Sequence, residues 1–142
     1  MHYQPLQPGC YYHIYNRGNN KEDIFIENKN YDYFLSLAKK HLTPVSEILA
    51  YCLLKNHFHF LVRINDDVSS GHVSRSFSNL FNAYAKAINK AYGRTGSLFQ
   101  DRFSRRLVEK EHYLMRLIPY IHLNPIHHGF SDSFSDYKFS SY

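Results

Sequence analysis

The sequence predicts an α+β fold, an antiparallel sheet with helices packed on one face. Three observations predict it: short aromatic and β-branched runs of strand length, two long amphipathic stretches lying between them, and the composition of a chain that folds. Hydrophobic residues make up 44% of the 142 residues and charged ones 20%, which suffices for one core and leaves no long solvated tail. A single domain over 1–142 is the expectation.

The elements follow in order. Residues 10-CYYHIYNR-17 are aromatic and β-branched with alternation, and 18-GNN-20 ends them, so they form a first strand. In 29-KNYDYFLSLAKKHL-42, residues Tyr31, Phe34, Leu35, Ala38 and Leu42 share one helical face. The apolar runs 47-EILAYCLL-54 and 57-HFHFLVRI-64 are separated by Lys55-Asn56, a connection of hairpin length, and become two adjacent antiparallel strands. From about Ser74 to Tyr92, residues Phe77, Leu80, Phe81, Tyr84, Ile88 and Tyr92 recur at spacings of three and four, giving the longest helix, which Gly93 caps. A strand near Arg105 to Val108 follows a loop, and 111-EHYLMRLIPYIHLN-124 reads as a last helix, interrupted or restarted at Pro119 and stopped by Pro125. This is the element order of a ferredoxin-like (RRM-like) sandwich with an added C-terminal helix.

The charge balance is +5 with a pI near 9.2, before any histidine protonates. A basic surface suits a polyanion, so nucleic acid is the first partner to consider and an acidic membrane surface the second. Cys10 and Cys52 lie in apolar strands without metal-finger or CxxC spacing and read as buried thiols of a reducing compartment. The opening MHYQPLQPG has no signal pattern, and no run nears the ~18 apolar residues of a membrane span, so the expectation is a cytoplasmic protein, not a membrane one.

One stretch carries chemistry. In a strand, residues i and i+2 point to the same face, so His57 and His59 project together while Phe58 points the opposite way. Two imidazoles on one face can bind a divalent metal, with further ligands arriving from elsewhere. With ten histidines in the chain, one HxH is expected roughly once by chance, so the pair alone is weak. His13 and the remaining histidines show no comparable pairing. On the last helix Tyr120 and Asn124 stand four apart, hence on one face. An amide oxygen is a reasonable ligand for Mg²⁺ or Mn²⁺, and a phenol beside a metal-bound phosphate is a candidate nucleophile. The bland readings are a core tyrosine and a helix stop before Pro125.

The segments 12-YHIYNRGN-19, 51-YCLLKNHFHFLV-62, 96-GSLFQDRF-103 and 120-YIHLNPIHHGF-130, taken in order, resemble the REP-associated and insertion-sequence-type single-tyrosine transposases of bacteria, the HUH nuclease class. The resemblance runs over nearly the whole chain. It implies a ferredoxin-like domain in which His57 and His59 are the paired metal ligands, Tyr120 the nucleophile and Asn124 the further ligand. The implied cofactor is Mg²⁺ or Mn²⁺. The implied activity is cutting and rejoining of single-stranded DNA near hairpins through a 5′-phosphotyrosine intermediate. It places the protein with the bacterial nucleoid. Asn16, Arg17 and Gly18 close the first strand as in that family, and Arg102, Arg105 and Arg106 form the densest basic cluster, suited to phosphate contacts. Tyr11, Tyr15 and Phe103 are candidates for stacking on unpaired bases.

Three features depart from that pattern. Insertion-sequence members commonly carry glutamine four residues after the tyrosine, whereas Asn124 fits the REP-associated branch. Pro119 immediately before Tyr120 is unusual, and the chain ends at 137-YKFSSY-142 where many relatives continue. A homodimer exchanging tyrosines and a monomer both stay open. Two other functions also stay open: a catalytically inactive module that grips single-stranded nucleic acid, and a hydrolase in which water attacks.

Overall fold

Aromatic and β-branched alternation at the start of the chain produces β1 (Tyr11–Arg17), and the remaining elements are α1 (Asn28–Leu42), β2 (Ser46–Leu54), β3 (His57–Ile64), α2 (Ser70–Ala91) and β4 (Ser104–Val108). They belong to a computed structural model that describes residues 5–109 and Ile121. The expected last helix over 111–124, with Tyr120 and Asn124, lies outside the described residues except for Ile121.

The strands form one sheet in the order β2-β3-β1-β4, with every neighbouring pair antiparallel. This is the predicted ferredoxin-like arrangement. Alternation assigns the two faces. Tyr12 and Ile14 of β1, Leu53 of β2, and Phe58, Phe60 and Val62 of β3 meet Phe34 and Leu42 of α1 and Phe77, Leu80 and Tyr84 of α2 in the main core. On the other face a smaller apolar cluster joins Ala50, Cys52, Leu54, Leu61 and Val108 to Ile121.

Two boundaries have local causes. Asn30 Oδ1 accepts from the Glu27 and Ile26 amides at 2.7 and 2.9 Å, closing the first turn of α1. α2 begins four residues before the periodicity predicts, because Ser69 accepts from the His72 amide and caps a turn whose side chains are mostly solvent-facing. At its far end Gly93 takes φ +62°, the left-handed conformation that glycine adopts without penalty.

The β2–β3 turn is fastened from outside. Lys55 O accepts from the Ile24 and Phe25 amides at 2.7 and 3.0 Å, and Asn56 O accepts from the Gly18 amide at 2.9 Å. Gly18 also leaves room for the chain that follows, since a Cβ there would stand 1.9 Å from the Glu22 carbonyl oxygen. The turn that precedes His57 is thereby held against the end of β1.

Candidate active site

His57 and His59 emerge from β3 on the face opposite α1 and α2, as the strand period requires, while fully buried Phe58 enters the core. Their rings stand 5.3 Å apart at 88°. β1 runs alongside with Arg17 opposite His57 and Tyr15 opposite His59. All four side chains line one small cleft together with Gln100 and Ser104.

Each histidine is tied back through Nδ1. Asn56 Oδ1 lies 2.8 Å from His57 Nδ1, and an acceptor there favours the tautomer with its hydrogen on Nδ1 and its lone pair on Nε2. His59 Nδ1 lies 2.9 Å from Nε2 of His13. The sequence showed no partner for His13, and the register explains the omission. His13 stands two residues before Tyr15, which pairs with His59, so the two histidines are diagonal neighbours on one face. Burial, reinforced by the Arg106 guanidinium, lowers the His13 pKa to about 4, so the ring is neutral at pH 7. The Tyr15 ring, 36% exposed, packs 4.7 Å from His13 at a 37° tilt and lies 6.0 Å from His59.

Two imidazoles with their Nδ1 atoms engaged can offer Nε2 to one divalent metal, and oxygen ligands from elsewhere would suit a hard ion such as Mn²⁺. Among the described residues no group of three His, Cys, Asp or Glu side chains gathers to complete a site. Asn124 lies outside them, as does Tyr120, so the geometry of neither is given. Ile121, next in sequence to Tyr120, is fully buried in the apolar cluster on the histidine face, beside Cys52, the residue opposite His59.

The expected DNA contacts divide. Arg17 is exposed beside His57 and shares a second hollow with Asn56 and Lys21, a cation the sequence reading passed over. Asn16 lines the histidine cleft, and its buried amide donates to Gln100 O at 3.2 Å and accepts from the Arg17 amide at 2.8 Å. It fastens the strand end to the loop before β4. Alternation divides the basic residues between the two faces. Arg106 lies opposite His13 on the histidine face. Arg105 turns to the helix side, donates to Ser74 Oγ at 3.3 Å, and sets its guanidinium 4.2 Å over the Phe103 ring. Arg102, exposed in the preceding loop, shares a hollow with Arg105, Ser74 and Ser78. Phe103 is buried against Phe77 at 5.6 Å and Phe81 at 5.2 Å, so it is a core residue and not a stacking platform. Tyr11 is half-buried against the smaller apolar cluster, which leaves Tyr15 as the exposed one of these three aromatics.

Known proteins resemble this chain in both sequence and fold. A protein of Haemophilus influenzae named as a REP-associated tyrosine transposase is 28% identical over 104 residues, covering 68% of this chain; the chain spans 58% of that relative's length. A REP-associated tyrosine transposase solved bound to a REP hairpin superposes with a TM-score of 0.77 at 19% identity, over 100% of this chain and 82% of the other. A Deinococcus radiodurans protein described as a transposase gives a TM-score of 0.53 at 14% identity, over 85% and 95% of the two chains. The family model described as "Transposase IS200 like" matches residues 7–124, which includes the paired histidines and extends to Asn124, and the chain belongs to that family.

Proposed function

We propose that this chain is a metal-dependent single-stranded DNA endonuclease and strand transferase acting at hairpin-associated sites, with Tyr120 as nucleophile. The observation that carries the reading is the histidine pair itself: His57 and His59 share one face, each held through Nδ1. The neighbour bound to a REP hairpin supports hairpin DNA as the substrate class.

His57, His59 and Asn124 would hold Mg²⁺ or Mn²⁺, which would supply Lewis-acid chemistry toward the scissile phosphate. Arg17 and Lys21 beside His57 attract and orient the phosphate backbone without choosing a sequence. Tyr15 offers a ring face to an unpaired base. The Tyr120 oxygen attacks the scissile phosphorus. A phosphorus–tyrosine oxygen bond forms as the bond to the 3′ oxygen breaks, and the proton lost by the phenol is balanced by the one gained at the departing 3′-OH. Rejoining is the reverse attack by a 3′-OH. One phosphodiester is exchanged for another, so no nucleotide cofactor is consumed. An unperturbed phenol has a pKa near ~10, so Tyr120 must lose its proton as it attacks.

The test is incubation with end-labelled single-stranded hairpin DNA, with Mn²⁺ or EDTA, followed by a denaturing gel. A protein–DNA adduct that needs Mn²⁺ and is lost in Tyr120→Phe, His57→Ala and His59→Ala is the expected result. An adduct that persists in Tyr120→Phe would overturn the assignment of the nucleophile. Tight binding with no adduct across a broad panel of hairpins would leave an inactive binding module, and cutting without attachment would mean that water attacks.

A further inference from the structure

We propose that His13 is a positioning residue that sets the tautomer and ring angle of His59 through the 2.9 Å contact between His13 Nε2 and His59 Nδ1. The inference rests on the reading that His57 and His59 hold the metal, and it concerns a residue outside that ligand set.

Hydrogen bookkeeping gives the contact its consequence. Two neutral imidazoles meeting through one nitrogen each share a single hydrogen, because each ring carries one N–H and one lone pair. If His13 donates, His59 accepts on Nδ1 and must carry its own hydrogen on Nε2, where it has no lone pair to offer a cation. If His59 donates, its Nε2 keeps the lone pair that a cation needs, and His13 carries its hydrogen on Nδ1. The second arrangement reproduces at His59 what Asn56 favours at His57, where the amide oxygen accepts from Nδ1 at 2.8 Å. Both site histidines then present Nε2, each oriented by an acceptor behind it.

The placement supports an orienting role. His13 and His59 are both buried, at 7% and 8% exposure, and their rings meet edge to edge, with centroids 5.1 Å apart and planes within 25°. Tyr15 packs on both rings, so the imidazoles are restrained in plane as well as in hydrogen bonding. The contact is set by the β1–β3 register and not by a loop, which fixes the distance as firmly as the sheet itself. The bland alternative is a buried polar pair satisfied mutually, with no preference for either tautomer.

The test uses the full chain, labelled with ¹⁵N-histidine and freed of metal in neutral solution. Long-range ¹H–¹⁵N spectra read the tautomer of each ring, with His57→Ala and His59→Ala supplying assignments. His59 protonated on Nδ1 is expected. Mn²⁺ affinity, read from the paramagnetic resonance of the free ion, is expected to fall about 10–100-fold in His13→Phe, the range for losing a group behind a metal-bound histidine. His13→Gln, which restores a carbonyl acceptor, is expected to recover most of that loss. A wild-type His59 protonated on Nε2 would overturn the inference, as would undiminished Mn²⁺ affinity in a folded His13→Phe. If His13→Phe does not fold, the wild-type spectrum decides. Neither readout uses DNA, so a protein that fails to cut hairpins would sink the nuclease reading while leaving the role of His13 intact.

Discussion

Replacing Phe58 by alanine tests whether the histidine pair is held from behind by the core. Phe58 is 0% exposed and stands between the two histidines in sequence, on the opposite face. Its ring centroid lies 5.4 Å from Phe34, 5.2 Å from Phe81, 5.6 Å from Phe60 and 5.9 Å from Phe99, so it joins α1, α2, its own strand and the loop before β4. Truncating a buried phenylalanine costs about 3–5 kcal/mol, because the lost transfer free energy is joined by a cavity that rigid neighbours do not fill. Four ring neighbours place Phe58 at the upper end, since each aromatic pair adds roughly 0.5–1.5 kcal/mol beyond area burial. Against a total of about 5–15 kcal/mol this is a third or more of the stability of a typical domain.

Urea unfolding followed by far-UV circular dichroism measures the loss. Phe58→Leu removes three carbons at ~0.8 kcal/mol each and should cost roughly 2 kcal/mol. Ile26→Ala, at a side chain 47% exposed, should stay within about 0.5 kcal/mol. A Phe58→Ala loss below about 1 kcal/mol, no larger than a modest surface effect, would refute the argument that this ring braces the strand.

Three further outcomes are expected. The His13 pKa, lowered from 6.5 to about 4, means that the unfolded chain takes up a proton in that interval while the folded one does not. Metal-free protein should therefore lose stability as pH falls from 6.5 to about 4, by roughly 3 kcal/mol at ~1.4 kcal/mol per pH unit, and His13→Phe should lose correspondingly less; parallel slopes in urea titrations would refute it. Tyr84→Phe removes a buried hydroxyl that donates to Ile24 O at 2.6 Å and should cost about 1–3 kcal/mol by orphaning that carbonyl, a loss absent if water replaces the donor. Arg17→Ala should weaken single-stranded DNA binding across sequences and reduce the slope of log affinity against log salt by about 0.7; an unchanged slope in anisotropy titrations removes Arg17 from the phosphate contacts.

The element order was legible because periodicity is strong wherever one face is buried, and the boundaries missed are those without that signal. The first turn of α2 opens with Ser70, Gly71 and His72, none of them apolar, and Val73, fully buried four residues before Phe77, is the anchor that extends the period back toward the Ser69 cap. The basic residues were misgrouped for the same physical reason that made the histidines readable. Period two unites His57 with His59 and separates Arg105 from Arg106. His13 was out of reach because no strand reports its own register. Asn16 entered through the family resemblance, and its bond to Gln100 O was out of reach until the loop before β4 was placed beside it.

Register also couples the site to the core more tightly than either alone would require. A one-residue slip of β3 against β1 would bring the histidines to the helix side and expose Phe58 and Phe60, reversing the burial of every side chain on the strand. Selection for a packed core therefore fixes which residues face outward, whatever their chemistry. β2 illustrates how the same sheet absorbs an irregularity. The register shifts between Ile48 and Ala50, so Ile48 opposes Val62 while Ala50 opposes Leu61, and Leu49 is left 39% exposed at the interruption. The shift inverts the parity of β2: Ser46 and Ile48 oppose the core residues Ile64 and Val62, whereas Ala50, Cys52 and Leu54 lie on the histidine face and Leu53 in the core. The irregularity sits near the far end of β2 from the hairpin that leads into His57, so the strand end supporting the site keeps an unbroken ladder, as an arrangement that holds two rings at a fixed separation requires.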